Sequence, residues 1–135
     1  MKLQNLCFIG FGNVGRALAR LLAAKSDELK EQYGISWRIT GIASRRIGWL
    51  ADSNGFDISQ VVTNPPVGNK FGEFGIKEWL KAANADVVFE TTSLNHESGE
   101  PALSYLRAAL QSGAHAITAN KGALVWRLVA DKLAG

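Results

Sequence analysis

Residues 8–22 read "FIGFGNVGRALARLL", and within them Gly10-Phe11-Gly12-Asn13-Val14-Gly15 has the spacing G-x-G-x-x-G. Alone, that spacing also describes a glycine-rich turn with no ligand. Its setting gives it meaning. Leu3 to Ile9 is a short apolar run that suits a strand buried on both faces, and a long helix follows the glycines. Gly10 permits a tight turn, and Gly12 has no side chain to hold a pyrophosphate away from the backbone. Gly15 lets helix and strand approach closely. The free N–H groups of the first helical turn, with the positive end of the helix dipole, then face the phosphates.

Outward from the loop, Val14, Ala17, Leu18, Leu21 and Leu22 fall at helical spacing on one face, and Gly34 is a natural stop. Ile35 to Ala43 alternates and is β-branched, which predicts a second strand. Residues 51–75 are rich in Gly, Asn and Pro, which predicts a loop with one short helix before it. A helix of one or two turns is expected over 76–83, and a third strand over 85–92. Pro101 suits the first turn of the next helix, striped by Leu103, Leu106 and Leu110 and ended by Gly113. "HAITA" (115–119) reads as a fourth strand and 123–135 as a final amphipathic helix, with Trp126, Leu128 and Val129 on its apolar side. Strands alternating with helices imply right-handed crossovers. The expected fold is α/β, one doubly wound, Rossmann-type parallel sheet in a single domain.

Composition fits this reading. Of 135 residues, 47% are apolar and 20% charged, and the net charge is +3 with the charges scattered. That describes a globular domain with no nucleic-acid footprint. One cysteine, Cys7, excludes an intrachain disulfide and a clustered thiolate metal site, and its apolar surroundings place it in the core. No run approaches the ~20 apolar residues of a membrane span, and no signal-peptide pattern precedes the first strand. A cytoplasmic protein is expected.

The second strand of such a fold ends near the adenosine ribose. NAD-binding sites place an acidic residue there, about 20 residues after the glycines, to grip the 2′-hydroxyl. Here the corresponding position comes 30 residues after Gly15 (45 − 15), and it offers Ser44, Arg45 and Arg46 with no carboxylate. A guanidinium suits a 2′-phosphate, gripped through paired hydrogen bonds, so NADP is the preferred cofactor and NAD a possible one. Two solvated surface arginines are the plain alternative.

Ligands in open parallel sheets lie beyond the carboxyl ends of the strands. The third predicted strand ends there with Glu90, Thr91, Thr92 and Ser93, the fourth with Asn120 and Lys121. Hydroxyls and N–H groups at that place suit a nicotinamide and its ribose, and the lysine brings a cation to the reactive end. Glu90 is a candidate base, although a glutamate at a strand end more often orients a loop by accepting N–H bonds. His96 lies in a loop over the cleft, where a solvated histidine is the ordinary reading, and His115 begins a strand. Two histidines so placed make no metal site.

"GFGNVGRALARLL", "GIASRR" and "VVFETTSLNHESGEPALSYLRAALQSGAHAITANKGALV" together resemble the nucleotide-binding domain of homoserine dehydrogenase. The resemblance runs over nearly the whole chain and is weakest in the loop-rich middle. It implies hydride transfer between NAD(P)H and aspartate semialdehyde or homoserine, in the synthesis of threonine and methionine from aspartate. It also implies that Gly10 to Gly15 and Arg45 bind the dinucleotide, that Thr91 and Thr92 touch it, and that Lys121 acts between cofactor and substrate. Members of the family continue into a catalytic and dimerising domain, which this chain, taken as one dinucleotide-binding domain over 1–135, does not include. A small amino-acid substrate is therefore expected only with that further domain. Two other readings stay open: the cofactor domain of another amino-acid dehydrogenase, such as aspartate dehydrogenase, and a non-catalytic dinucleotide-binding sensor or subunit.

Overall fold

The computed structural model describes residues 2–44, 47–63, 75–92 and 102–118. Arg45, Arg46, Ser93, His96, Pro101, Asn120, Lys121 and the helix expected over 123–135 lie outside the described residues. Within them, ten elements follow one another. These are β1 (Lys2–Ile9), α1 (Asn13–Ala24), α2 (Ser26–Tyr33), β2 (Ile35–Ser44), β3 (Gly48–Ala51), α3 (Ile58–Thr63), α4 (Ile76–Ala83), β4 (Val87–Glu90), α5 (Ala102–Gln111) and β5 (His115–Thr118).

The strands form one sheet in the order β3-β2-β1-β4-β5. β1 lies at its centre, parallel to β2 and β4, and β5 is parallel to β4. Side chains alternate across the pleat. Leu6 and Phe8 enter a core shared with Phe11, Ala19, Ile42, Val61 and Val62, on the side of α1 and α3. Cys7 and Ile9 enter the opposite core with Trp79, Leu80, Tyr105 and Ala109, on the side of α4 and α5. Two helical layers around one sheet are the doubly wound arrangement expected. The burial expected on both faces of β1 holds for its carboxyl half, while Lys2 and Leu3 are exposed.

Several expectations need correction. The sheet is mixed, because β3 pairs antiparallel with β2, Ser44 opposite Gly48. A link of three residues can close only a hairpin, so this edge strand cannot run parallel. β3 stands where a short helix was expected, and α3 falls inside the stretch read as loop. Asp57 starts α3 by accepting the N–H groups of Ser59 (2.9 Å) and Gln60 (3.2 Å), and Val61 and Val62 bury it.

The first helix is two helices. The chain turns at Lys25 (φ −98°, ψ 6°), and α2 buries no residue before its left-handed stop at Gly34. The buried face of α1 also differs from the expected one. Gly15 and Ala19 lie against the sheet, Leu18 and Leu22 flank them, and Val14 and Leu21 are 57% and 55% exposed. The cause is the tight approach of α1 to the strand end, which admits only small residues beneath it. Leu110 likewise leaves the expected stripe of α5 at 63% exposure, while Tyr105, Leu106, Ala108 and Ala109 are buried.

Trp79 anchors the α4 side. Its indole N–H donates to the Leu50 carbonyl at 2.7 Å, and its ring meets Trp49 edge-on at 5.1 Å. Gly41 leaves room for it, since a Cβ there would lie 2.8 Å from the ring. At the amino ends of the strands, Asn5 joins neighbours: its amide donates to the Asn84 carbonyl, its oxygen accepts from Arg38, and its N–H donates to Asp86. Among the described residues no helix is long and apolar enough to cross a membrane.

Candidate functional site

The chain leaves β1 for β2 through α1 on one face, and leaves β4 for β5 through α5 on the other. The carboxyl ends of β1 and β4, which are hydrogen-bonded neighbours, therefore flank the switch point where a doubly wound sheet opens a crevice. The two segments that meet there are Gly10–Gly15 and Thr91–Thr92.

Gly10 takes φ +87°, and its N–H donates to the Ala43 carbonyl at 2.7 Å. Phe11 turns its ring into the core, edge-on to Phe8 at 5.5 Å, so only its backbone is available to a ligand. The Arg16 guanidinium lies over this ring, 6.0 Å from its centroid. Gly12 is the residue before α1, exposed, and a Cβ added to it would meet nothing within 4 Å. Gly15 is the opposite case: a Cβ there would lie 3.0 Å from the Gly10 carbonyl oxygen and 3.3 Å from the Phe11 ring. The three glycines thus divide into one turn, one open surface and one close contact.

The N–H groups of Asn13, Val14 and Gly15 have no partner within a helix that begins at Asn13. No side chain caps this end of α1, and its first turn holds no acidic residue. A cradle of backbone donors at a positive dipole end, free of competing carboxylate, fits an anionic phosphate. Asn13 and Val14 are exposed beside it.

Across the crevice, Thr91 is fastened to the glycine loop. Its N–H donates to the Ile9 carbonyl and its hydroxyl to the Gly10 carbonyl, both at 2.8 Å. Thr92 donates its N–H to Glu90 Oε2 at 2.7 Å and its hydroxyl to the same oxygen. Glu90 itself is fully buried. Its other oxygen accepts from the Thr118 hydroxyl at 2.6 Å, across the β4–β5 seam. The carboxyl group therefore orients the strand ends by accepting hydrogen bonds, the ordinary reading of a strand-end glutamate. Thr118 is a site residue that sequence reasoning missed. Its only signal is its place opposite Glu90, which needs the strand register to see.

Ser44 ends β2 and accepts the Ile47 N–H at 3.0 Å, and Ile47 is buried. Arg45 lies outside the described residues. His115 begins β5 at the far end, donating its N–H to Asp86. Cys7 is core: burial pushes its thiol up to about 12, against the lowering effect of its hydrogen bond with Thr40. Among the described residues no group of His, Cys, Asp or Glu is assembled to hold a metal ion.

Comparison with known proteins agrees with this fold. A family model described as "Homoserine dehydrogenase, NAD binding domain" matches residues 10–132. An NAD(+)-dependent homoserine dehydrogenase of Pseudomonas canavaninivorans is 33% identical over 129 residues, which is 90% of this chain and 37% of the relative. A homoserine dehydrogenase of Methanocaldococcus jannaschii is 29% identical, covering 90% of this chain and 38% of the relative. The chain thus spans little more than a third of the length of these relatives. Among solved structures, a hyperthermophilic archaeal homoserine dehydrogenase mutant in complex with NADPH superposes with a TM-score of 0.66 at 24% identity, over 92% of this chain and 37% of that one. Homoserine dehydrogenase of S. aureus gives a TM-score of 0.64 at 22% identity, over 90% and 26%. At these identities the structural likeness speaks for the fold. With the family match running from Gly10 to Lys132, the chain belongs to the NAD-binding domains of the homoserine dehydrogenase family.

Proposed function

We propose that residues 1–135 form the cofactor-holding domain of a cytoplasmic homoserine dehydrogenase that interconverts homoserine and aspartate semialdehyde, with NADP preferred and NAD accepted. The observation that carries the reading is Gly12, open to solvent between two tightly packed glycines, at an uncapped helix start free of acidic side chains. The amides of Gly12 to Gly15 hold the pyrophosphate, with only the backbone of Phe11 contributing. Ser44 and Arg45 take the adenosine ribose, Arg45 gripping a 2′-phosphate. Thr91 and Thr92 border the nicotinamide and its ribose. Lys121 holds the substrate's alcohol oxygen and favours loss of its proton. Bound there, the dinucleotide supplies hydride transfer at its nicotinamide, while the chain orients it and shields it from water. The greater length of the relatives supports placing the substrate-holding and dimerising parts in further sequence.

Both cofactor types occur among the relatives: the Pseudomonas enzyme is named NAD(+)-dependent, and the archaeal structure holds NADPH. Arg45, in place of a carboxylate, is what favours NADP here. Calorimetric titration of the chain with each dinucleotide tests the proposal. Tighter NADP than NAD is expected; the reverse order would overturn the cofactor preference, and binding of neither would overturn the site.

A further inference from the structure

Glu90 has a fully buried carboxyl group at the ligand-facing edge of the sheet, and none of the cofactor and substrate contacts proposed above involves it. Burying such a group is unfavourable unless hydrogen bonds replace the water it loses. Donors converge on both of its oxygens: the Thr92 N–H and hydroxyl on Oε2, the Thr118 hydroxyl on Oε1. Glu90 and Thr118 are direct neighbours on adjacent strands, so the carboxyl group spans the β4–β5 seam. On its other side, the Thr91–Thr92 peptide lies where a Cβ on Gly10 would approach within 2.8 and 2.9 Å. The Thr91 hydroxyl then closes onto the Gly10 carbonyl. One line of contacts runs from β5 through Glu90, Thr92 and Thr91 to the glycine loop.

We infer that Glu90 is a positioning residue for dinucleotide binding: by accepting hydrogen bonds from Thr92 and Thr118 it sets the glycine loop and the end of β5 in place. This rests on the dinucleotide reading of the site. The role is acceptance of hydrogen bonds, not charge or proton transfer. Glutamine in its place keeps one oxygen for Thr92, and its amide nitrogen donates to the Thr118 hydroxyl, which turns to accept. Alanine removes the acceptor of the Thr92 N–H altogether.

The test compares Glu90→Ala, Glu90→Gln and Thr118→Val in the 135-residue chain. NADP and NADPH are titrated into each, and amide hydrogen exchange is followed without ligand. Glu90→Ala is expected to weaken both dinucleotides about tenfold and to speed exchange at Thr92 and Gly12 by a similar factor. Glu90→Gln restores both readouts to within about threefold of the parent, and Thr118→Val gives a smaller loss in the same direction as alanine. An alanine variant that binds and exchanges like the parent overturns the inference. So does a glutamine variant as damaged as alanine, or one with an altered NADP-to-NADPH affinity ratio, since either outcome assigns the role to charge. If Glu90→Ala does not fold, unchanged exchange at Thr92 and Gly12 in Thr118→Val overturns it. A parent chain that binds no dinucleotide overturns the site reading itself, and with it the ligand of this inference.

Discussion

Gly10 and Thr91 meet with no room for one more carbon. A Cβ on Gly10 would lie 2.8 Å from the Thr91 carbonyl carbon, and the Thr91 hydroxyl already donates to the Gly10 carbonyl at 2.8 Å. The end of β1 and the end of β4 are thereby locked edge to edge.

Gly10→Ala is therefore expected to destabilise the domain by ~2–4 kcal/mol. It combines a side chain at φ +87° with an overlap against backbone atoms that have little freedom to retreat. Urea unfolding monitored by tryptophan fluorescence measures the loss. A change below about 0.5 kcal/mol, the range of neutral surface substitutions, would mean that the loop is looser than this contact implies.

Gly12→Asp should separate stability from binding. The position meets nothing within 4 Å, its φ of −89° suits any residue, and aspartate is a favoured helix N-cap. Folding stability should hold or rise by a few tenths of a kcal/mol, roughly the difference between glycine and a good cap. The same carboxylate would stand where the pyrophosphate is proposed to lie, so dinucleotide binding should be lost through overlap and like-charge repulsion. Unchanged affinity measured by calorimetry would remove the phosphate role of this loop.

Much of the fold is legible in the sequence, because a glycine pattern between a strand and a helix constrains its surroundings. β1, β2, β5 and α4 follow from apolar period and stop signals alone. What escaped depends on long-range contacts. Gly48 to Ala51 is too short to show a period, and its pairing comes from the Ser44–Ile47 turn. The buried face of α1 was misjudged because leucine is more apolar than glycine or alanine, while tight packing against Gly10 selects the smaller residues. Glu90 was visible as a strand end, but its partner Thr118 lies 28 residues on and is found only through register. Arg45 and Lys121, legible in the sequence as candidates, lie outside the described residues.

Arg45→Ala should discriminate between the two dinucleotides. Losing paired hydrogen bonds to a 2′-phosphate should weaken NADP by ~1.5–3 kcal/mol, the range for hydrogen bonds to charged groups. NAD, which lacks that phosphate, should be almost unaffected. Equal losses for both in parallel titrations would mean that the arginine serves another purpose.

Cys7 gives stability a pH dependence in the alkaline range. Burial raises its thiol from 9.0 to about 12, so above pH 9.0 the unfolded chain releases this proton while the folded chain keeps it. The unfolded state then binds fewer protons, and stability falls as pH rises through that window. The slope should approach about 1.4 kcal/mol per pH unit above 9.0, relative to a Cys7→Ala variant in which the other titrating groups are unchanged. Parallel pH profiles for parent and variant would show that the thiol is not buried as described.

The proposed role of Lys121 has a functional test. The 135-residue chain should bind NADP yet show no oxidation of homoserine. A single lysine beyond a strand end can hold an alcohol oxygen and favour loss of its proton. It cannot also position the substrate's amino and carboxylate groups, which need partners of their own. Orientation of that kind contributes ~7–11 kcal/mol to lowering a barrier, so losing even part of it should put turnover below detection. In a chain extended to the length of the relatives, Lys121→Ala should depress kcat severely and NADP affinity only modestly, because the pyrophosphate and 2′-phosphate contacts are proposed for other residues. Steady-state kinetics on the extended chain and its variant measure both effects. Normal turnover in the variant would remove Lys121 from the mechanism, and homoserine oxidation by the 135-residue chain alone would mean that the substrate site is already complete within it.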